Sequence, residues 1–283
     1  MIRKYQDDDI EQVTQLINKA SSKYKMLDSN AIKVSSVEFI VFVEKEVILG
    51  FAYAISIIND AKESEAQIKV FVDTPYRLHG IGKSLVEYIE RNLIKRNTVM
   101  LTSYFKVNLE NPAEFCHKAG YKKWWGSPEL FYVGSGFPKV AVDFVQYEDK
   151  YFDTYLKVVQ ESFYDVHVIN DIKPYIATEE IVRRYKLNNK ENVYLLLEDD
   201  KILASVTIGN GTVENLMVTK TAQGKGYGKK ALQFAINTMI SQGNKEIRIS
   251  YMEGNDSAEN LYLSLGFKPL HNTHVYRKII RNS

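Results

Sequence analysis

The apolar and polar residues of this chain follow strand-like and helix-like patterns in turn. Two stretches, "FIVFVEKEVILGFAYAI" and "VYLLLEDDKILASVTI", each predict two apolar strands joined by a charged tight turn. Apolar residues return at helical spacing in "DDDIEQVTQLINKA" and in "YFDTYLKVVQESF". Strands and helices that alternate in this way predict an α/β fold.

The same pattern occurs twice along the chain. "RLHGIGKSLV", beginning at Arg77, matches "QGKGYGKKAL", beginning at Gln223, 146 positions later. "FCHKAGYKK" and "LYLSLGFKP" align at the same offset, with Gly120 opposite Gly266. The preceding strand pairs align at an offset of 154, so the first copy has eight extra residues, which we expect in a longer hairpin loop around "NDAKESEAQ".

Each copy reads as a strand, a helix, two or three strands, a glycine-rich turn, a long helix, a strand, a helix and a strand. A short Gly/Pro stretch, "GSGFPK" at residues 134–139, separates the copies. We therefore predict two domains, residues 1–137 and residues 138–283.

Composition narrows the class of protein. The 283 residues are 45% hydrophobic and 25% charged with a net charge of +2, which is typical of a globular domain and does not favour a nucleic-acid partner. The single cysteine, Cys116, excludes an internal disulfide. The N-terminus is charged, and the most apolar stretch is interrupted by "EKE" at residues 44–46, so we expect a cytoplasmic protein without a membrane span.

The stretch "GIGKS" resembles the end of a nucleotide-binding P-loop, but that motif requires a glycine five residues before Gly82, where this chain has Arg77. The motif's serine, Ser84, is replaced by Lys230 in the second copy. What remains is a glycine turn at the start of a helix, whose backbone N–H groups and positive helix end suit a phosphate.

The second copy carries the fuller turn, "QGKGYGK" at residues 223–229, between the strand "VENLMV" and an amphipathic helix. An ordinary flexible turn is the alternative interpretation. Duplication at constant spacing favours a pyrophosphate site.

Two polar residues follow this turn, in the motif "NDSAENLYLSLGF". Asn255 lies at a strand end, where it could hydrogen-bond a ligand or simply begin a helix. Tyr262 falls on that helix, where it could meet a ligand or pack in the core. His271 and His274 have no further metal-binding residue nearby in the sequence, so we predict no metal site.

These motifs resemble those of the GCN5-related N-acetyltransferase (GNAT) superfamily, and the double copy is similar to tandem-GNAT proteins. The resemblance covers nearly the whole chain. It implies two tandem GNAT-like domains, each with a mixed, mostly antiparallel central sheet flanked by helices. It also implies acetyl-CoA as the donor and direct transfer of the acetyl group to a primary amine.

The resemblance further implies roles for individual residues. Tyr262 would protonate the departing thiolate, and the backbone N–H near Val218 would face the thioester oxygen. Glu214 lies four residues before Val218, on the same face of an extended strand, and could act as the base or be a solvated carboxylate. The pantetheine arm and pyrophosphate would lie against Leu216, Met217, Val218, Gln223, Gly224, Lys225, Gly226, Tyr227, Gly228, Lys229 and Asn255.

The two copies differ at the positions that carry this chemistry. At the offset of 146, Tyr262 becomes Cys116, Glu214 becomes Ile68 and Asn255 becomes Leu109. We therefore expect residues 138–283 to be catalytic and residues 1–137 to be non-catalytic. The first turn could still hold CoA through residues retained from its motif: Arg77, Gly80, Gly82 and Lys83.

The acceptor is not specified by these motifs. In this fold it would contact the first helix and its loops, here "QESFYDVHVINDIKPYIATEE", so small amines, amino sugars, amino acids, polyamines and protein N-termini all stay open. The alternative function is a non-catalytic, acyl-CoA-binding regulatory protein. The oligomeric state is not specified either.

Overall fold

The computed structural model describes residues 1–21, 28–107 and 112–280. The chain divides into two compact units. Unit 1 comprises Met1–Trp124 and His274–Ser283, and unit 2 comprises Trp125–Thr273. Among the described residues, no helix is both long enough and apolar enough to cross a membrane.

Unit 1 follows the predicted order of elements. Its strands lie in the order β1-β2-β3-β4-β5, and neighbours are antiparallel except for the parallel pair β4 and β5. Helix α3 covers one face, where its apolar side chains join the core, and α1 covers the other. The elements are β1 Ile2–Lys4, α1 Ile10–Ser21, α2 Ser29–Ser35, β2 Glu38–Glu44, β3 Val47–Ile58, β4 Ser64–Val72, α3 Ile81–Ile94, β5 Met100–Lys106, α4 Ala113–Lys118 and the start of β6 Lys122–Tyr132.

Unit 2 repeats this architecture. Its strands lie in the order β6-β11-β10-β9-β8-β7, with one parallel pair, β10 and β11. Helix α7 packs on one face and α5 on the other. The elements are β7 Phe144–Gln146, α5 Phe152–Ile169, α6 Glu179–Tyr185, β8 Val193–Glu198, β9 Lys201–Ile208, β10 Thr212–Val218, α7 Tyr227–Ser241, β11 Ile247–Ser250, α8 Asp256–Ser264 and the start of β12 Lys268–Ile279. The predicted mixed, mostly antiparallel sheet flanked by helices is confirmed.

The last strand of each sequence copy lies in the unit formed by the other copy. Most of β6 belongs to unit 2, where Leu130 pairs with Ile249 of β11. The end of β12 belongs to unit 1, where Tyr276 is buried in the core and the Ile280 N–H donates to the Val99 carbonyl at 2.8 Å. The compact units therefore differ from the expected division into residues 1–137 and 138–283. The repeat aligns both final strands equally well, so the sequence does not reveal this exchange.

The hairpins explain two features of the sequence pattern. The charged turns place Lys45 and Glu46, and likewise Asp199 and Asp200, at positive φ, as two-residue turns between twisted strands require. The extra residues of the first copy mainly lengthen strands, because β3 and β4 have 12 and 9 residues while β9 and β10 have 8 and 7. The expectation of a longer loop was thus only partly right.

Candidate active site

The glycine turn of unit 2 leads from β10 into α7 and leaves its backbone open. Gly224 and Gly226 have φ of +74° and +81°, a conformation that side chains rarely adopt. A Cβ built on either glycine meets no atom within 4 Å, so this side of the turn faces open space. With the N-terminus of α7 beside it, the turn can present backbone N–H groups to an anion.

Unit 1 keeps the same turn conformation with a different sequence. Gly80 has φ of +83° and open space around its Cβ position. Leu78 has φ of +66° and is fully exposed, so its side chain gains no burial in exchange for this conformation. A left-handed leucine costs roughly 1–2 kcal/mol, and the turn nevertheless retains the shape it has in unit 2.

One side-chain hydrogen bond recurs in both turns. The Gln223 Nε2 donates to the Val218 carbonyl at 3.3 Å, and the Arg77 Nε donates to the Val72 carbonyl at 3.0 Å. Each bond ties the first residue of the turn to the end of the preceding strand. Glutamine and arginine are therefore interchangeable here, because each supplies an N–H donor of similar reach.

The last glycine of each turn has a packing role. A Cβ on Gly228 would lie 3.3 Å from Leu261 Cδ2, and a Cβ on Gly82 would lie 3.2 Å from Phe115 Cε2. These glycines let the long helix approach the next helix closely. They were predicted as cofactor-binding residues, and the structure gives them a structural reason to be glycine.

Positive charge surrounds the turn of unit 2. Lys225 is exposed, and Lys229 and Lys230 begin the helix that follows. Within the described residues, none of these three lysines has a carboxylate within the 4.0 Å of an ion pair, whereas Lys83 of unit 1 lies 3.8 Å from Glu87. The unit 2 turn therefore has uncompensated positive charge available for an anionic ligand.

A β-bulge opens the sheet of unit 2 beside this turn. The β9–β10 register shifts between Glu214 and Met217, and Asn215 in the bulge has φ of +48°. The parallel strands β10 and β11 pair only at Thr212 and Val213. Beyond these two pairs the strands separate and leave a gap.

A cavity of about 250 Å³ occupies this gap. Its walls bring together residues that are far apart in sequence, including both predicted catalytic residues, Glu214 and Tyr262. Such a volume is below the ~300–1,000 Å³ of most ligand pockets, and it suits the end of an extended arm more than a whole cofactor. The lining residues are Glu129, residues 212–216, residues 248–250 and Tyr262.

The backbone of β10 presents an N–H group to the gap. The Thr219 N–H donates to the Leu203 carbonyl at 3.0 Å, so this opposed pair is hydrogen-bonded. Hydrogen-bonded pairs alternate along antiparallel strands, so the N–H of Val218 points away from β9 and toward the gap. By the same alternation Met217 faces β9, and its side chain is buried in the core on the α5 face. Met217, predicted to contact the cofactor, is therefore turned away from the gap.

Tyr262 combines both roles considered from the sequence. It is 5% exposed and packs in the core, with its ring 5.9 Å from that of Tyr251, and it also lines the cavity. Burial raises the pKa of the Tyr262 phenol well above its ordinary value. The phenol therefore stays protonated at neutral and moderately alkaline pH, as a proton donor must.

Asn255 begins α8. Its side-chain oxygen accepts the Ala258 N–H at 3.1 Å, which is an ordinary helix cap. The helix-start interpretation of Asn255 accounts for this oxygen. The amide nitrogen and the second lone pair of the oxygen are not used by this cap.

Glu214 is exposed and lines the cavity, so it can exchange protons with solvent. The Thr212 hydroxyl donates to its Oε1 at 3.1 Å. A carboxylate in this position can accept a proton from a group inside the cavity directly or through water.

Register identifies the counterpart of Glu214 in unit 1 as Lys69. Glu214 pairs with Thr207 across the hairpin of unit 2, and Lys69 pairs with Tyr53, the residue equivalent to Thr207. The correspondence with Ile68, read from the constant offset, is wrong by one residue because the pairing of β3 and β4 contains no bulge.

Lys69 bridges the strands of unit 1 where the gap opens in unit 2. Its Nζ donates to the Tyr104 carbonyl on β5 at 2.7 Å and lies 3.1 Å from the centroid of the Tyr104 ring. Burial lowers the pKa of Lys69 to about 7. In unit 1, the Lys69 side chain therefore crosses the region that corresponds to the open gap of unit 2.

The remaining sequence candidates have structural roles or no defined place. Cys116 is buried in the core of unit 1, where it packs as a small apolar residue, and burial raises the pKa of its thiol to about 11. Leu109 lies outside the described residues. The His271 Nε2 lies 2.8 Å from the Glu129 Oε2, and no cluster of three potential metal ligands occurs in the described part of the chain.

Two residues beside Glu214 were missed from the sequence. Asn215 lies in the bulge and lines the cavity, and the Lys186 Nζ donates to its Oδ1 at 2.7 Å. Lys186 follows α6, far from the motifs in sequence. In the sequence, nothing about Asn215 beside Glu214 indicates that the strand has a bulge at this point.

Comparisons with known proteins agree with this architecture. Residues 153–267 match the model of the "Acetyltransferase (GNAT) family", and residues 35–123 match that of an "Acetyltransferase (GNAT) domain". A curated relative, [ribosomal protein bS18]-alanine N-acetyltransferase of Haemophilus ducreyi, is 33% identical over 91 residues. This alignment covers 30% of the present chain and 63% of the relative.

Solved structures share the fold over the full length of the chain. A GCN5-related N-acetyltransferase from Sphaerobacter thermophilus has a TM-score of 0.70 at 16% identity, covering 100% of this chain and 96% of that one. A tandem GNAT protein from the clavulanic acid biosynthesis pathway has a TM-score of 0.62 at 13% identity, covering 100% and 99%. Identities this low establish the fold alone.

The two family matches, together with a bulged and splayed sheet next to a glycine turn, define the class as the GNAT-type acetyltransferases. The chain belongs to the GNAT acetyltransferase family, with two such domains in tandem. Members of this family use acetyl-CoA as the acetyl donor.

Proposed function

We propose that unit 2 transfers an acetyl group from acetyl-CoA directly to a primary amine. The carrying observation is the cavity between β10 and β11, which Glu214 and Tyr262 both line. It lies beside the strand that ends in the glycine turn. A base, an acid and an anion-binding turn are thereby available to one ligand.

The residues present fit acetyl-CoA. The open faces of Gly224 and Gly226 and the nearby Lys225 and Lys229 suit a pyrophosphate. The backbone of β10 has groups directed at the gap, at Leu216 and Val218, which can pair with an extended arm as an added strand would. Acetyl-CoA, when bound, supplies the activated thioester.

Three groups of this chain would then act in turn. Glu214 takes a proton from the acceptor ammonium, directly or through water, and leaves a nucleophilic amine. The Val218 N–H donates to the thioester oxygen as negative charge develops there. The C–N bond forms as the C–S bond breaks, and the Tyr262 hydroxyl donates its proton to the departing sulfur. The proton that the nitrogen loses on becoming an amide then restores the Tyr262 hydroxyl through water.

The acceptor is an amine of a small molecule or a protein. The name of the curated relative assigns that enzyme a protein alanine as acceptor. A protein N-terminus is therefore one acceptor to test, beside free amino acids, amino sugars and polyamines.

We assign unit 1 a non-catalytic role. The Lys69 bridge to Tyr104 and the buried Cys116 in place of Tyr262 support this assignment. The retained turn at Leu78 and Gly80 favours CoA binding or a structural function. If both units lacked turnover, the whole chain would be the acyl-CoA-binding regulatory protein of the alternative hypothesis.

A screen of the purified chain tests the proposal. Acetyl-CoA-dependent thiol release is measured against amino acids, amino sugars, polyamines and N-terminal peptides, with Tyr262→Phe as the control. We expect release with at least one acceptor class that falls sharply in the variant. Tight CoA binding with no release from any acceptor would favour the regulatory protein.

A further inference from the structure

A half-buried ammonium, that of Lys186, lies beside Asn215, a residue that lines the cavity of unit 2. The Lys186 Nζ donates to the Asn215 Oδ1 at 2.7 Å and lies 4.0 Å from the centroid of the Phe163 ring. Burial lowers the pKa of Lys186 to about 8, and the negative charge of Glu214 opposes this shift. The side chain is therefore largely cationic at neutral pH although it is poorly solvated.

No carboxylate of the described residues forms an ion pair with this cation, although the charge of Glu214 acts on it from a greater distance. Among the described residues, none lies within the 4.0 Å of an ion pair from Lys186, although the neighbouring Lys190 and Lys220 each pair with an aspartate. Buried charges in proteins are normally paired, because an unpaired ammonium loses solvation without compensation. The missing partner points to an anion that is brought by a ligand.

A second unpartnered polar atom lies near this cation. The Nδ1 of His167 is buried without a hydrogen-bond partner in the described residues, and the charge of Lys186 acts on this imidazole. The His167 ring is 6.0 Å from that of Phe163, the aromatic residue next to the ammonium. Burial lowers the pKa of His167 against the opposing effect of backbone hydrogen bonds at Pro174 and Tyr175, so its ring is neutral.

We propose that Lys186 and Asn215 form an anion-binding subsite that selects acceptors with a carboxylate close to the reacting amine. Asn215 follows Glu214 directly in the bulge. An anion held by Lys186 therefore places a neighbouring amine near the Glu214 carboxylate. Free α-amino acids have this arrangement, whereas a peptide N-terminus has a neutral amide in place of the carboxylate.

This assignment rests on the proposed N-acetyltransferase activity and specifies its acceptor. The chemistry favours an amino acid over a polyamine, whose second cation Lys186 would repel. Specificity then arises from the charge of Lys186, because an acceptor without an anion leaves that charge without an ion-pair partner.

The test compares acceptors that differ only in the carboxylate. The common L-amino acids and their primary amides are assayed with acetyl-CoA for the wild type, Lys186→Met and Asn215→Asp. Methionine keeps the apolar stem without the charge, and aspartate gives Lys186 an internal counterion. We expect the ratio of kcat/KM for acid over amide to fall about 10- to 100-fold in both variants, as the loss of a charged hydrogen bond predicts. Lys190→Met should leave the ratio unchanged.

A binding measurement separates this inference from the catalytic proposal. N-acetyl-L-amino acids and their amides are added with CoA, and the melting temperature is followed. Carboxylate-dependent stabilisation that disappears in Lys186→Met supports the subsite even if no acceptor is acetylated. An acid-over-amide ratio that Lys186→Met leaves unchanged, or turnover confined to amines without a carboxylate, would overturn the subsite and leave the transferase standing.

Discussion

Glu214 and Lys69 occupy equivalent strand positions in the two units and carry opposite charges. In unit 2 a bulge follows Glu214 and the sheet opens, so the carboxylate reaches a cavity. In unit 1 the strands keep their register, and the Lys69 Nζ donates across to the Tyr104 carbonyl. One position thus lines an open gap in one unit and bridges the strands in the other.

Replacing Lys69 with methionine should stabilise the protein, and the gain should depend on pH. The pKa of Lys69 is about 7 when folded, against about 10.5 when unfolded. As pH falls from 10.5 to 7 the unfolded chain gains a proton that the folded chain resists, so the native protein loses stability over this window. Lys69→Met removes that loss, and its rise in melting temperature should be larger at pH 6 than at pH 9.

The exposed Lys4→Met is the matched control, and its effect on the melting temperature should be small at both pH values. A Lys69→Met variant that is less stable than the wild type at pH 6 would show that the ammonium contributes net stability through Tyr104.

Glu214→Gln should lower kcat/KM by about 10²-fold at neutral pH, which is the lower range for loss of a general base. Glutamine keeps the oxygen that accepts from Thr212, so the strand should be undisturbed. The deficit should shrink as the pH approaches the pKa of the acceptor amine, because the amine then loses its proton without help. The measurement is a pH profile of kcat/KM for both proteins.

Glu191→Gln, an exposed carboxamide replacement elsewhere in unit 2, should behave as the wild type. Equal profiles for Glu214→Gln and the wild type would leave Glu214 as a solvated carboxylate at a strand end.

Three glycine variants separate the two turns. Gly226→Ala, Gly80→Ala and Gly243→Ala each add a methyl group at positive φ with no atom within 4 Å, so their cost in folding free energy should be similar, roughly 1–2 kcal/mol. Only Gly226→Ala places that methyl in the turn beside the cavity. We expect it to weaken acetyl-CoA binding and turnover, while Gly243→Ala, at the end of α7, changes neither.

Acetyl-CoA affinity by titration calorimetry and turnover are measured for all three. If the wild type binds two molecules of acetyl-CoA per chain and Gly80→Ala binds one while its turnover is unchanged, unit 1 has a CoA site. Turnover lost as completely in Gly80→Ala as in Gly226→Ala, at similar stability, would contradict the assignment of catalysis to unit 2.

Tyr262→Phe removes one hydroxyl and keeps the packing of the ring, so stability should change little. Loss of the acid should reduce kcat by about 10²- to 10⁴-fold while acetyl-CoA affinity is retained. Because burial raises the pKa of this phenol, Tyr262 should cause no alkaline decline of wild-type kcat below pH 10. Single-turnover kinetics with one responsive amine measure both effects.

Two controls accompany this variant. Tyr147→Phe removes a buried hydroxyl outside the cavity lining, and Cys116→Ala changes the equivalent position of unit 1. Neither should affect kcat. A Tyr262→Phe enzyme with wild-type kcat would remove the acid assignment.

The sequence determined the parts of this protein that depend on local patterns. Hydrophobic periodicity gave the strands and helices, and the repeated glycine turn gave the tandem copies, because turns and caps require particular residues at particular φ. The pairing of Tyr262 with Glu214 followed from the family resemblance and agrees with their common cavity. Asn255, predicted beside a ligand, proved to cap α8, an alternative that the sequence had left open.

Only the tertiary structure decided the features that depend on strand pairing. The exchange of β6 and β12 joins segments that are far apart in the chain. One inserted residue in β10 makes Lys69, and not Ile68, the residue of unit 1 that is equivalent to Glu214. The contact between Lys186 and Asn215 spans 29 positions and arises from that same bulge. A residue's own sequence neighbourhood fixes its backbone preference, but which side chains meet across a sheet is set by register, and register is a property of the folded chain.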